Sequence, residues 1–294
     1  MSRFQLFLRR LNIRVCLIVV VCGVVAIFLL MPKIASWALT TMDIPDTQQR
    51  QLRNLRDRGH VTNLAALDLS LMTDEELLLT VHSYPDNTNT ICERKLRMGN
   101  LEDGGWEICD DKDVRPTPPC TIYSFGINYD FSFDDDAARY YGCHVFSFDP
   151  SMGIAPDRFN RSSHIHFYKL GISHQNVIDS KGWELKTFSA LKQLLGHRDN
   201  LIQVVKMDIE QAEWKTIEEM SQSGQLATIG QFLVEFHVVS DSRDYLLPRL
   251  KVMQILERAG FKKFYVHKNT YCGTLVRGFP ATRTECYEVH YVRR

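Results

Sequence analysis

Apolar and polar positions follow one another along this chain in blocks. Short β-prone runs end on glycine or an acid, and stretches with apolar residues at helical spacing separate them. Residues 121–150, TIYSFGINYDFSFDDDAARYYGCHVFSFDP, set the pattern. Ile122, Tyr123 and Phe125 form a run ending on Gly126, a polar turn leads to a helix start at Asp134, Asp135 and Asp136, and Val145, Phe146 and Phe148 form a second run ending on Asp149. Downstream, HIHFYKL at 164–170 reads as a third strand ending at Gly171, and 183–195 as a helix with Leu185, Phe188, Leu191 and Leu195 on one face. LIQVVKM at 201–207 reads as a fourth strand running into DIE at 208–210, followed by a helix through Trp214, Ile217 and Met220 that stops near Gly224. Residues 231–239 read as a fifth strand, and Pro248 suits the first turn of a helix carrying Leu250, Met253 and Leu256 inward. Runs at 261–267 and 286–292 make a closing antiparallel pair. The alternation predicts an α/β domain: a seven-stranded, mostly parallel, doubly wound sheet with helices on both faces.

The amino-terminal third reads differently. Residues 15–31, VCLIVVVCGVVAIFLLM, carry no charge and are just long enough to span a bilayer. Arg3, Arg9, Arg10 and Arg14 precede them and only Lys33 follows closely, which predicts a signal anchor with a cytoplasmic tail at 1–14 and the rest of the chain across the membrane. A cleaved signal peptide is the alternative, with Ala35 and Ser36 as small residues nearby, and would give a secreted protein. Residues 32–72 read as a stem with a polar helix at 48–58, and TDEE at 73–76 is a capping box that opens the globular domain, 73–294. Residues 84–119, rich in glycine and proline, read as a lead-in tied by disulfide rather than regular structure.

Charge and cysteine content sharpen the placement. Lys plus Arg and Asp plus Glu both number 35, so the formal net charge is zero, which argues against a general nucleic-acid binder. Beyond the apolar run stand six cysteines, 92, 109, 120, 143, 272 and 286, an even set that predicts disulfides of unspecified pairing in an oxidising compartment. None is spaced C-x-x-C, which argues against zinc. NRS at 160–162 is an N-glycosylation sequon, usable in a lumenal domain. A Golgi or ER type II membrane protein is the expectation.

Strand, glycine turn, helix, strand, acid is the order that holds the ribose and charged tail of an adenosine cofactor, and Gly126 to Asp149 is 23 positions, a suitable span. One glycine stands where a dinucleotide fingerprint has three, so no pyrophosphate cradle is expected. Two core strands joined by a helix would give the same pattern without any ligand. Asp208 and Glu210 end the fourth strand at the carboxyl edge of the sheet. Glu235 and His237 end the fifth, two apart and on one face, with His237 the natural general base for a hydroxyl acceptor; a structural ion pair is the plainer reading. Lys206 stands close enough in sequence to offset the acids. His164 and His166 share a strand face but lack a third ligand at suitable spacing, which favours strand histidines over a metal pair.

The segments YSFGINYDFSFDDDAA, GCHVFSFDPSM, VVKMDIEQAEW and QFLVEFH, in that order within 92–294, resemble the methyltransferase-like protein 24 family, itself similar to FkbM-type enzymes. The resemblance implies a class-I, Rossmann-like methyltransferase domain, S-adenosylmethionine as methyl donor, and a secreted or membrane-anchored placement. Phe125, Gly126 and Asn128 would then form the turn beneath the donor's methionine part, with Asn128 or Asp130 on its ammonium group. Asp149 would take the ribose and Ser173 would lie near the adenine. Asp208, Glu210, Glu235 and His237 would form the catalytic edge, with O-methylation of an unidentified small-molecule, glycan or protein acceptor as the expected reaction. No metal ligand is assigned, although Asp208 and Glu210 offer oxygens that suit Mg²⁺. Two alternatives remain: an inactive methyltransferase-fold interaction module, and a lumenal metal-dependent glycosyltransferase using 134–136 or 208–210 as its acidic motif.

Overall fold

The computed structural model describes residues 64–154, 156–269, 272 and 283–294. The proposed anchor at 15–31 and the polar helix at 48–58 lie outside them, and no helix among the described residues is long and apolar enough to cross a membrane.

Two 3₁₀ turns, Leu64–Ala66 and Leu69–Leu71, lead into α1 (Asp74–Ser83), whose capping box forms as its sequence predicts: Thr73 Oγ1 accepts from Glu76 N and Glu76 Oε2 accepts from Thr73 N. Packing therefore starts before residue 73. Leu64 is fully buried, and Gln254 Nε2 donates to the carbonyls of Leu64 and Leu67, so 64–72 belong to the globular domain rather than to a stem. Strands β1 (Lys95–Met98) and β2 (Trp106–Cys109) then form an antiparallel hairpin. The lead-in is thus held by regular structure as well as by the Cys92–Cys109 disulfide.

The body alternates from there: β3 (Thr121–Phe125), α2 (Ser132–Tyr141), β4 (His144–Phe148), β5 (Arg158–Asn160), β6 (Ile165–Tyr168), β7 (Gly171–Ile172), β8 (Val177–Ile178), β9 (Glu184–Lys186), α3 (Phe188–Leu194), β10 (Ile202–Met207), α4 (Glu213–Gln222), β11 (Ile229–His237), α5 (Arg243–Arg258), β12 (Phe261–Lys268) and β13 (Cys286–Arg293). The main sheet has eight strands in the order β12-β13-β11-β10-β3-β4-β6-β5. Strands β11, β10, β3, β4 and β6 are mutually parallel, and β13 runs antiparallel between β11 and β12. The eighth strand, β5, is a short antiparallel edge that the sequence did not announce, its three residues being only partly buried.

Two further boundaries differ from the pattern reading. Residues 184–186 are a strand of a small sheet, β7-β9-β8, because the Thr187 side chain caps Ala190 N and starts α3 only at Phe188. Helix α5 begins five residues ahead of Pro248, where the missing N–H withholds a bond only from exposed Asp244.

The sheet's two faces are covered unequally. One receives α1, α3, α4 and α5, with Leu77, Phe188, Ile217, Leu250 and Met253 in one continuous core. The other receives α2 and the β1–β2 hairpin, whose core includes Cys92, Cys109, Cys120 and Cys143. The remaining bond joins Cys272 to Cys286, so all six cysteines are paired.

Candidate functional site

The strand order reverses between β3 and β10, because the chain builds outward through β4 and β6 before returning to β10 and β11. Open α/β sheets bind ligands at the carboxyl side of such a switch point. A hollow of about 490 Å³ lies there, between the ends of β3, β4 and β10. Phe125, Gly126, Asn128, Asp149 and Ser173 line it, and so do Asp208 and Glu210. Phe125 and Phe148 stack at 4.8 Å under its floor.

Gly126 has φ +78°, and a Cβ there would sit 1.8 Å from the Asp208 carbonyl oxygen. Glycine is required because the β3 turn lies directly on the end of β10, and the same residue lines the hollow. The buried Lys206 ammonium secures the same junction, donating to the carbonyls of Phe125 (3.2 Å) and Gly126 (2.5 Å) rather than meeting Asp208 or Glu210.

Asp149 is 4% exposed and fully engaged. Its Oδ2 accepts from the backbone N–H groups of Ile127 (2.9 Å) and Asn128 (2.8 Å), and its Oδ1 from Ser151 N (2.8 Å) and Ser151 Oγ (2.6 Å). A carboxylate has about four acceptor positions, and all are filled. Asp149 therefore fixes the loop after β3, where Asn128 (φ 44°) and Tyr129 (φ 65°) take left-handed conformations that need such support. Asp130 is outside the hollow: its Oδ1 accepts from Ser132 N and starts α2, and its Oδ2 accepts from Asn100 Nδ2. The helix opens at Ser132, two residues before the acidic cluster. Of that cluster, Asp134 is buried against Ser147 and Ser124, and burial pushes its carboxyl up to about 6 despite those bonds.

The other rim is built from β10 and β11. Glu210 (φ 53°) and Gln211 (φ 74°) again take left-handed backbone, which carries the Glu210 carboxylate, 87% exposed, over the strand ends. His237 is buried behind it. Its Nδ1 donates to Glu213 Oε1 at 3.2 Å, while Nε2 lies 3.4 Å from Glu210 Oε2 and 3.5 Å from Glu235 Oε2. Burial alone would lower the imidazole pKa, but Glu213, Glu235 and Asp208 more than offset it and raise it to about 9. His237 is then an imidazolium at neutral pH and not the general base expected of it. Burial, with Asp208 alongside, likewise raises Glu235 well above the usual carboxylate range.

Sequence reasoning missed part of the wall. Trp183, Leu185 and Asp179, from the small β7-β9-β8 sheet and its turns, close one side of the hollow, with the Lys181 ammonium 4.2 Å from the Trp183 ring centre. A tryptophan beside Gly182 in an otherwise polar stretch was the available signal. His164 and His166 lie elsewhere, stacked against His144 (5.0 and 5.5 Å between ring centres) at the amino-terminal side of β4 and β6.

This strand order, with a hollow over the switch point and acids on its rim, defines a class-I methyltransferase type of α/β domain. A family model described as a methyltransferase domain matches residues 41–292, and the chain belongs to that family. Among curated proteins it is similar to "Probable methyltransferase-like protein 24" of Rattus norvegicus, 28% identical over 210 residues, which are 64% of this chain and 56% of that one. The Homo sapiens protein of the same name is 29% identical over 183 residues, 56% of this chain and 48% of its own. The chain thus spans about half the length of the curated relatives it matches. A solved structure, that of the pyocyanin biosynthetic protein PhzM, aligns at a TM-score of 0.27 and 10% identity over 63% of this chain and 53% of that one.

Proposed function

We propose that the chain transfers a methyl group from S-adenosylmethionine to a hydroxyl-bearing acceptor in the secretory pathway. The observation that carries the reading is the hollow itself: about 490 Å³, within the range of small-molecule sites, apolar on one wall and acidic on the other. Trp183, Leu185 and Ile172 offer the apolar surface an adenine ring needs, and Asp179, Asp208 and Glu210 offer carboxylates to a cationic ligand. The donor supplies a methyl already activated on a sulfonium, so the protein's task is alignment. Asp149 holds the Ile127 and Asn128 amides in place, leaving Asn128 and Ser173 to orient the donor. Glu210, exposed on the rim beside His237, is placed to receive the acceptor's proton.

Three disulfides among the described residues favour an oxidising compartment, and Asn160 of the sequon is exposed on β5. The anchor at 15–31 supplies the entry route in this reading. Endoglycosidase sensitivity of the full chain in microsomes, lost in Asn160→Gln, tests the placement; an unglycosylated, protease-accessible chain overturns it.

Equilibrium dialysis of the purified full chain with labelled S-adenosylmethionine tests the activity, followed by a search for labelled product in fractionated glycan, lipid and protein extracts. Saturable binding weakened about tenfold or more in Asp208→Asn is expected. Binding without transfer to any fraction would favour an inactive module. Absence of donor binding, with binding of a nucleotide sugar instead, would favour a glycosyltransferase.

A further inference from the structure

We propose that Asp208, Glu235 and His237 bind one divalent transition-metal cation of the manganese class at the carboxyl ends of β10 and β11. One ligand atom from each lies within 4.8 Å of the others, giving one imidazole nitrogen and two carboxylate oxygens. The nitrogen donor argues against Ca²⁺ and Mg²⁺, which prefer oxygen, and the carboxylates suit Mn²⁺ better than softer ions.

The imidazole is already arranged as a ligand. Its Nδ1–H is committed to Glu213 Oε1, and the same oxygen accepts the His237 backbone N–H at 2.9 Å, so ring and main chain are fixed together. That leaves Nε2 facing Glu235 and Glu210. Histidines that bind metals commonly donate their other N–H to a carboxylate in this way, which orients the ring and raises its basicity.

Charge provides a second, independent indication. Glu213 has no exposed surface, and its Oε2 has no hydrogen-bond partner among the described residues. A buried carboxylate oxygen left unpaired is costly unless positive charge stands nearby. Asp208, Glu210, Glu213 and Glu235 all crowd one imidazole, while Lys206 spends its ammonium on the Phe125 and Gly126 carbonyls. A divalent ion bound among these carboxylates would bring positive charge to a group of acids that Lys206 does not reach.

Asp208 belongs both to this cluster and to the donor hollow, so the cation would border the methyl donor. Coordination lowers the pKa of a bound hydroxyl, which would let a plain carboxylate such as Glu210 take its proton. That role rests on the methyl-transfer reading; the site itself does not.

The test uses the purified full chain, stripped with chelator and titrated with MnCl₂ while free Mn²⁺ is followed by electron paramagnetic resonance. One saturable Mn²⁺ per chain is expected, with a nitrogen coupling in the pulsed spectrum from His237. Asp208→Asn and Glu235→Gln should each weaken binding at least about tenfold, and Glu213→Gln about 10–100-fold with the nitrogen coupling altered. Thermal melts of each variant guard against misfolding, and Asp208, partly exposed, is the substitution least exposed to that objection. Absence of saturable binding, or affinity unchanged in both Asp208→Asn and Glu235→Gln, overturns the proposal. S-adenosylmethionine affinity measured on the same samples separates the readings. Donor binding without Mn²⁺ binding overturns the cation site alone, and Mn²⁺ binding without donor binding upholds the site while removing the donor.

Discussion

The two rims of the hollow use carboxylates in opposite ways. On the β3–β4 rim one acid, Asp149, meets four donors from its own loops and has nothing left over. On the β10–β11 rim Asp208, Glu210, Glu213 and Glu235 gather around one imidazole, and the charges do not balance. A carboxylate whose acceptor positions are filled by rigid backbone N–H groups is a structural tie. Carboxylates crowded together with too few protons or donors are poised to meet something that arrives. Both rims bring carboxylates to the hollow, Asp149 on one and Asp208 and Glu210 on the other; hydrogen-bond accounting tells them apart.

The comparison can be broken most severely at the seam between the rims. Gly126→Ala would drive a Cβ into the Asp208 carbonyl and strain a left-handed turn, so a loss of about 4 kcal/mol is expected in urea denaturation. A near-neutral result would mean the rims are not in contact. Next comes Asp149→Ala, which strands the N–H groups of Ile127, Asn128 and Ser151 and should cost about 3 kcal/mol. If the variant keeps full stability and loses only donor affinity, Asp149 is a ligand and not a tie.

The opposite rim should respond to pH instead. With His237 raised from 6.5 to about 9 and Glu235 raised well above 4.5, the folded state holds these protons more tightly than the unfolded chain. Their contribution is fully present at low pH and is lost as pH climbs through about 9. In chelated protein, stability should fall by several kcal/mol between about pH 4.5 and 9, most steeply above about pH 6.5 where both groups release protons in the unfolded chain, and a Glu235→Gln/His237→Gln double variant should flatten that slope. An equal slope in both proteins would refute the assignment. The smallest effect belongs to Ser151→Ala, which removes one of Asp149's four donors and should cost about 1 kcal/mol with no change in the pH profile.

Much of this is legible in the sequence. The positions of Gly126, Asp149, Asp208 and Glu210 at strand ends follow from where apolar runs stop, and strand ends at a switch point are where α/β sheets place their sites. Periodicity also yields α4 and α5, whose inward residues Ile217, Leu250 and Met253 are all buried. It fails for β9, where Leu185 fits a helical face but Thr187 supplies a cap two residues later. It fails too for Asp149 and Asp130, because a carboxylate's role depends on which N–H groups point at it, and pattern carries no such directions. Glu213 could not be joined to His237 from sequence: 24 residues separate them, and only the crossover through α4 and β11 brings them together. Trp183 was hidden for a similar reason, its small sheet being too short to leave a period.

The contact between Gly126 and the Asp208 carbonyl has a consequence for how the rims communicate. With no slack between them, a shift of either strand end has to be carried to the other. An occupant that draws the β3 turn inward alters what the β10 end can hold, and thermodynamic linkage requires the influence to run equally in reverse.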